Sequence, residues 1–89
     1  MKKALMIIVS GNVQGVGFRY SALKKANELG IKGYIRNKSD GTVYIEIEGE
    51  PETLDFFIVW CKNGPSWAQV NDVYYEDIPL SNFVNFEIK

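Results

Sequence analysis

The stretch Ala4-Leu5-Met6-Ile7-Ile8-Val9-Ser10-Gly11-Asn12-Val13-Gln14-Gly15-Val16-Gly17-Phe18-Arg19 decides how this chain is read. Its first part, Ala4 to Ser10, is a continuous apolar run bounded by Gly11, the pattern of a central strand covered on at least one face. A loop rich in glycine follows, with Gly11, Gly15 and Gly17 spaced along it. Beyond the loop, Phe18, Ala22, Leu23, Ala26 and Leu29 recur at helical spacing. Gly30 then supplies a left-handed helix end, with Ile31 as the apolar contact after it. A strand, a glycine loop and a helix thus lie in series.

Working outward, Lys32 to Lys38 reads as a second strand, and Ser39-Asp40-Gly41 as a hairpin turn of the Asp-Gly kind. Thr42 to Glu48 alternates cleanly: Val43, Ile45 and Ile47 are expected on a core face, and Tyr44, Glu46 and Glu48 on a wet one. Pro51 fits the first position of a second helix whose positive end is matched by Glu50, Glu52 and Asp55. Its inner stripe is Leu54, Phe57, Ile58 and Cys61, and Asn63-Gly64-Pro65 ends it. Phe56, Phe57, Trp60 and Trp67 are expected in the core or at its rim. Gln69 to Ile78 is strand-like, with an alternation that breaks between Val70 and Val73 and so predicts a bulge. Val84, Phe86 and Ile88 alternate in a short final strand.

The order βαββαβ, with one extra short strand, is the split βαβ or ferredoxin-like arrangement. The expected fold is an α/β (α+β) sandwich: an antiparallel sheet of four to five strands with two helices packed on one face, formed by residues 1–89 as a single domain. In that topology the first and second strands run parallel with the third between them, so their C-terminal ends share one edge of the sheet. The loop 11–18 and the residues around Asn37 should face each other there.

Composition removes whole mechanisms. The chain of 89 residues has no His, so it has no imidazole base, no Ser/His or Cys/His nucleophilic pair and no His metal ligand. The single Cys61 cannot form an internal disulfide, and its helical setting predicts burial as a small hydrophobe. The net charge of −1 hides a partition. Residues 1–38 carry eight bases against one acid, and residues 39–89 carry two bases against ten acids. A pI near 5.3 argues against a nucleic-acid partner and leaves a small anion open. The apolar run after Met1-Lys2-Lys3 is too short for a signal core or a membrane span, which need about 7–15 and 18–20 residues. The reading is a soluble, cytoplasmic, monomeric protein without a membrane partner.

Gly15 and Gly17 permit positive φ and leave amides uncovered, and the loop feeds a helix start, where free N–H groups and the dipole attract an anion. Arg19 sits at that start and can add a bidentate contact to a phosphate. The loop is neither a Walker loop, which ends in Gly-Lys-Ser/Thr, nor a Rossmann Gly-x-Gly-x-x-Gly. Composition alone leaves two readings open: a phosphate cradle, or a tight turn with Arg19 in solvent.

The segment Ser10 to Arg19, taken with Leu29-Gly30-Ile31-Lys32-Gly33-Tyr34-Ile35-Arg36-Asn37 and Asp40-Gly41-Thr42-Val43, resembles the acylphosphatase family. The Val-Gln-Gly-Val-Gly-Phe-Arg run is highly specific. The likeness extends to Gly64-Pro65 and to Asn85-Phe86-Glu87-Ile88. It implies a stand-alone enzyme that hydrolyses the carboxyl-phosphate bond of small acyl phosphates without a metal or cofactor. Carried over position by position, the resemblance makes Arg19 the phosphate-binding arginine and the backbone amides of Gln14, Gly15, Val16, Gly17 and Phe18 the cradle. It makes Asn37 the residue that holds the attacking water. The chain departs from the family pattern at Tyr34, where Trp is common, at Tyr44, where Glu is frequent, and at Asn12, where many bacterial members carry Arg.

The chemistry agrees. The leaving group of an acyl phosphate is a carboxylate, whose conjugate acid has a pKa of about 4, so it needs no strong acid to depart. Phosphoryl transfer asks the protein mainly for positioning and electrostatic stabilisation. Asn37 does not titrate, yet its amide can accept from a water and donate to it. Tyr20 and Tyr34 are candidates to line an acyl group. Two rivals share the topology. One is a single-stranded RNA binder, opposed by Glu46 and Glu48 on the expected wet face. The other is a non-catalytic anion-binding or regulatory module.

Overall fold

The computed structural model describes residues 1–89. The elements are β1 (Lys3–Asn12), α1 (Phe18–Leu29), β2 (Lys32–Asn37), β3 (Val43–Gly49), α2 (Pro51–Asn63), β4 (Gln69–Ile78) and β5 (Phe86–Ile88). They form one five-stranded sheet in the order β4-β1-β3-β2-β5. Both helices pack against the same face of the sheet, α1 over β2 and β5 and α2 over β4, β3 and β1.

Strand register follows the apolar alternation. Leu5 pairs with Ile47, Ile7 with Ile45 and Val9 with Val43 across β1 and β3. Gly33, Ile35 and Asn37 of β2 stand opposite Ile47, Ile45 and Val43. Paired residues point to the same side, so Asn37 shares the helix-covered face with the buried Val9 and Val43. The inner stripe of α2, Leu54, Phe57, Ile58 and Cys61, is buried as its spacing predicts. Phe18 anchors the start of α1, with its ring centroid 5.3 Å from that of Trp60. The predicted bulge is present: the β1–β4 register shifts between Ser10 and Gly11, whose partners are Asp72 and Val70, leaving Asn71 as the extra residue.

Four expectations are corrected. The sheet is mixed rather than antiparallel, because β5 pairs parallel to β2 on its outer edge. Val84 lies outside that strand and is exposed. Phe56 and Trp67 are exposed rather than part of the core; Phe56 falls on the outward side of α2, and Trp67 sits in the loop after that helix. Glu48 is the one buried charged residue, although it does lie on the face away from the helices. The chain returning from β4 to β5 crosses that face, and the Glu48 carboxylate accepts backbone N–H groups from Ser81, Asn82 and Phe83. Three charge-assisted bonds offset the cost of removing the carboxylate from water.

The rest of the helix-free face holds an aromatic cluster. The Tyr34 and Tyr44 hydroxyls both donate to Glu46 Oε2, at 3.1 and 2.7 Å. Burial, reinforced by that carboxylate, raises the pKa of both hydroxyls above the ordinary value of 10.0. Arg36 and Lys38 lie over the Tyr44 ring, each 5.7 Å from its centroid.

Candidate active site

The loop between β1 and α1 takes its shape from its glycines. Gly15 has φ 73° and Gly17 φ 80°, left-handed values that cost a side chain roughly 1–2 kcal/mol. A Cβ at either position would meet nothing, so the backbone there is uncovered. Gly17 is also the N-cap of α1, which has neither a side-chain cap nor an acidic residue in its first turn. None of the five backbone N–H groups from Gln14 to Phe18 donates to another backbone or side-chain group. Five donors are therefore unspent at the positive end of a helix, an arrangement that receives an anion.

Gly15, Gly17, Phe18 and Arg19 line one open depression of about 230 Å³, together with Val13 and Tyr20. Phe18 is buried in the core, and Val16 leans partly buried against that core. Larger concavities elsewhere on the surface, such as the one beside Asn71 and Asp72, contain none of the predicted site residues.

Asn37 closes β2 on the helix-covered side. Its Oδ1 is the one buried side-chain polar atom in the chain without a hydrogen-bond partner. Leaving such an acceptor unsatisfied costs about 1–3 kcal/mol, and exceptions of this kind call for a reason. Asn37 does not line the depression of Arg19, but a direct bridge joins their two loops. Gln14 Nε2 donates to the carbonyls of Lys38, at 2.7 Å, and Thr42, at 2.8 Å. Sequence reasoning assigned Gln14 only through its backbone amide and missed this side-chain role. The signal available was the topology, which set the loop opposite the β2–β3 turn without saying which carbonyls would come within reach. The turn itself is held by Asp40, whose carboxylate accepts from Thr42 N at 3.0 Å and Thr42 Oγ1 at 2.7 Å. Those two bonds, that of the hydroxyl first, hold Asp40 below the usual carboxylate range.

Of the two tyrosines named for an acyl group, Tyr34 lies in the aromatic cluster on the helix-free face and Tyr20 on the wall of the depression. Cys61 is buried, and burial raises its thiol pKa well above the ordinary value, which suits an inert filler. No three His, Cys, Asp or Glu side chains are grouped to hold a metal ion, and no helix is long and apolar enough to cross a membrane.

Fold and loop together define a ferredoxin-like α+β domain with a donor-lined strand-to-helix loop. The sequence signature of the family described as Acylphosphatase matches residues 5–88. An acylphosphatase of Archaeoglobus fulgidus is 52% identical over 85 residues, which cover 96% of each chain. The crystal structure of acylphosphatase from Bacillus subtilis superposes with a TM-score of 0.95 at 36% identity, covering 100% of this chain and 99% of that one. Full-length HypF, crystallised in a phosphate- and nucleotide-bound form, matches with a TM-score of 0.94 at 31% identity, and the match covers 100% of this chain but 12% of HypF. The chain belongs to the acylphosphatase family, a family of enzymes.

Proposed function

We propose that the protein hydrolyses small acyl phosphates to a carboxylate and inorganic phosphate, without a metal, using Arg19 and Asn37. The observation that carries this reading is the set of unspent amides from Gln14 to Phe18 beside Arg19. The phosphoryl oxygens sit against these amides, and the Arg19 guanidinium compensates the charge that spreads over them in the transition state. Asn37 Oδ1 accepts a hydrogen bond from the attacking water, the role its lack of a protein partner supports. The water oxygen bonds to phosphorus as the bond from phosphorus to the acyl oxygen breaks. The electron pair leaves on the carboxylate, and the protons of the water pass to phosphate oxygens and exchange with solvent. No side-chain base is needed, which suits a chain without His.

The match to part of HypF, a larger protein, leaves a second reading, in which this fold is a non-catalytic anion-binding or regulatory module. Release of phosphate from benzoyl phosphate in the presence of EDTA separates the two. The hydrolase reading expects turnover that EDTA leaves intact. It also expects Arg19→Ala to lose phosphate binding and turnover together, and Asn37→Ala to lower kcat about 10²-fold or more with little change in phosphate affinity. Absence of turnover in the wild type would favour the binding module. Turnover abolished by EDTA would overturn metal independence, and a wild-type rate in Asn37→Ala would remove Asn37 from the mechanism.

A further inference from the structure

We propose that Tyr20 is the platform for the acyl group, so that this site favours acyl phosphates with a flat, aromatic acyl part. The proposal deepens the hydrolase reading and rests on it. Tyr20 stands directly after Arg19 in the first turn of α1 and shares with it the wall of the open depression. Tyr20 is 73% exposed, its hydroxyl donates no hydrogen bond, and its ring enters none of the aromatic pairs or cation contacts of the fold. A large exposed ring on a residue that lines the site, with no ring or cation partner in the fold, is available to a ligand.

The direction of the reaction selects that side. In-line displacement sets the attacking water and the leaving oxygen on opposite sides of phosphorus. The water belongs to Asn37, which is absent from the lining of the depression, while Tyr20 is part of it. With the water on the side of β2, the proposal sets the departing carboxylate toward the Tyr20 wall, where its substituent would meet the ring. Tyr34 is excluded from this role. Its hydroxyl is bonded to Glu46, its ring stands edge-on to Phe83 at 5.7 Å, and Lys89 Nζ lies 4.7 Å from its centroid on the helix-free face. The other exposed aromatic rings, among them Phe56 and Trp67, lie outside the depression. Ring-to-ring contact favours an aryl group, whereas a methyl group covers little of the Tyr20 face.

The test compares benzoyl and acetyl phosphate in the wild type, Tyr20→Ala and Tyr20→Phe. The wild type is expected to prefer benzoyl phosphate in kcat/KM. Tyr20→Ala is expected to reduce that preference about fivefold to tenfold, mainly through KM for benzoyl phosphate, and Tyr20→Phe to keep it. An equal loss on both substrates, or a preference that Tyr20→Ala leaves standing, would overturn the proposal. A second measurement does not depend on turnover: binding of benzylphosphonate and methylphosphonate by the same three proteins. If no acyl phosphate is hydrolysed, yet benzylphosphonate binds more tightly than methylphosphonate only when residue 20 is aromatic, the hydrolase reading fails and the platform stands. Equal binding of the two phosphonates by the wild type removes the platform.

Discussion

Replacing Gln14 by Ala tests whether the two halves of the site are held at a fixed separation. Gln14 Nε2 donates to two carbonyls of the β2–β3 turn, those of Lys38 and Thr42. Each of these carbonyls keeps a second partner when the amide is removed. Gly41 N donates to Lys38 O at 3.2 Å, and Lys38 N donates to Thr42 O at 2.9 Å. The substitution thus strands no buried acceptor and costs only the net value of two neutral hydrogen bonds, about 1–3 kcal/mol together. Urea denaturation should report that loss. The kinetic effect should be out of proportion to it. Freed from the bridge, the strand end carrying Asn37 can drift relative to the amide cradle, and a misplacement near 1 Å costs up to about 10²-fold in rate. On the proposed mechanism we expect kcat to fall about 10- to 100-fold, while inhibition by inorganic phosphate, which there needs only the amides and Arg19, changes less than about threefold. If Gln14 acts through Asn37, the two substitutions should not add: Asn37→Ala should cost clearly less in a Gln14→Ala background. A Gln14→Ala protein that is destabilised as expected but turns over within about twofold of wild type would show that the bridge serves stability alone. Full additivity with Asn37→Ala would refute the coupling.

Glu48→Ala removes the acceptor of the backbone amides of Ser81, Asn82 and Phe83. With charge-assisted bonds at about 1.5–3 kcal/mol each, it should lower stability by about 3 kcal/mol or more and raise amide exchange over residues 79–85; native-like exchange there would contradict the assignment. The raised pKa of Tyr44 makes an alkaline prediction, since the fold favours its neutral form. The stability it contributes is complete below the ordinary value of 10.0 and is lost as pH rises through the higher folded value. Phenolate absorbance should show a late-titrating component that is diminished in Tyr44→Phe, and loss from an early component instead would place the perturbed hydroxyl elsewhere.

The sequence made much of this molecule legible because local chemistry and tertiary packing agree there. Val43, Ile45 and Ile47 alternate because one side of β3 is covered by helices, and the broken alternation at Asn71 survives as a bulge in the register. The glycine loop was readable because positive φ at Gly15 and Gly17 leaves few alternatives to glycine. What stayed hidden depends on long-range neighbours. The alternation did set Glu48 on the face away from the helices, but no local pattern announces that the segment after β4 folds back over that face. The parallel partner of β2 was hidden for the same reason, since a three-residue strand carries no mark of its direction. Phe56 and Trp67 lie outside the core because aromatic character alone does not dictate burial. The Gln14 bridge required knowing which carbonyls the turn offers.

The parallel pairing of β5 also bears on how the protein avoids sticking to itself. Without β5, the strand that ends in Asn37 would be a sheet edge, an open row of backbone donors and acceptors ready to template another chain. Gly33 N donates to Asn85 O at 2.9 Å and Lys89 N to Ile35 O at 2.7 Å, which closes that row from both directions. The other edge, β4, is longer but carries Asp72, Glu76 and Asp77, charges that oppose stacking of like strands. Fraying of the last few residues would therefore expose the strand bearing Asn37 to aggregation.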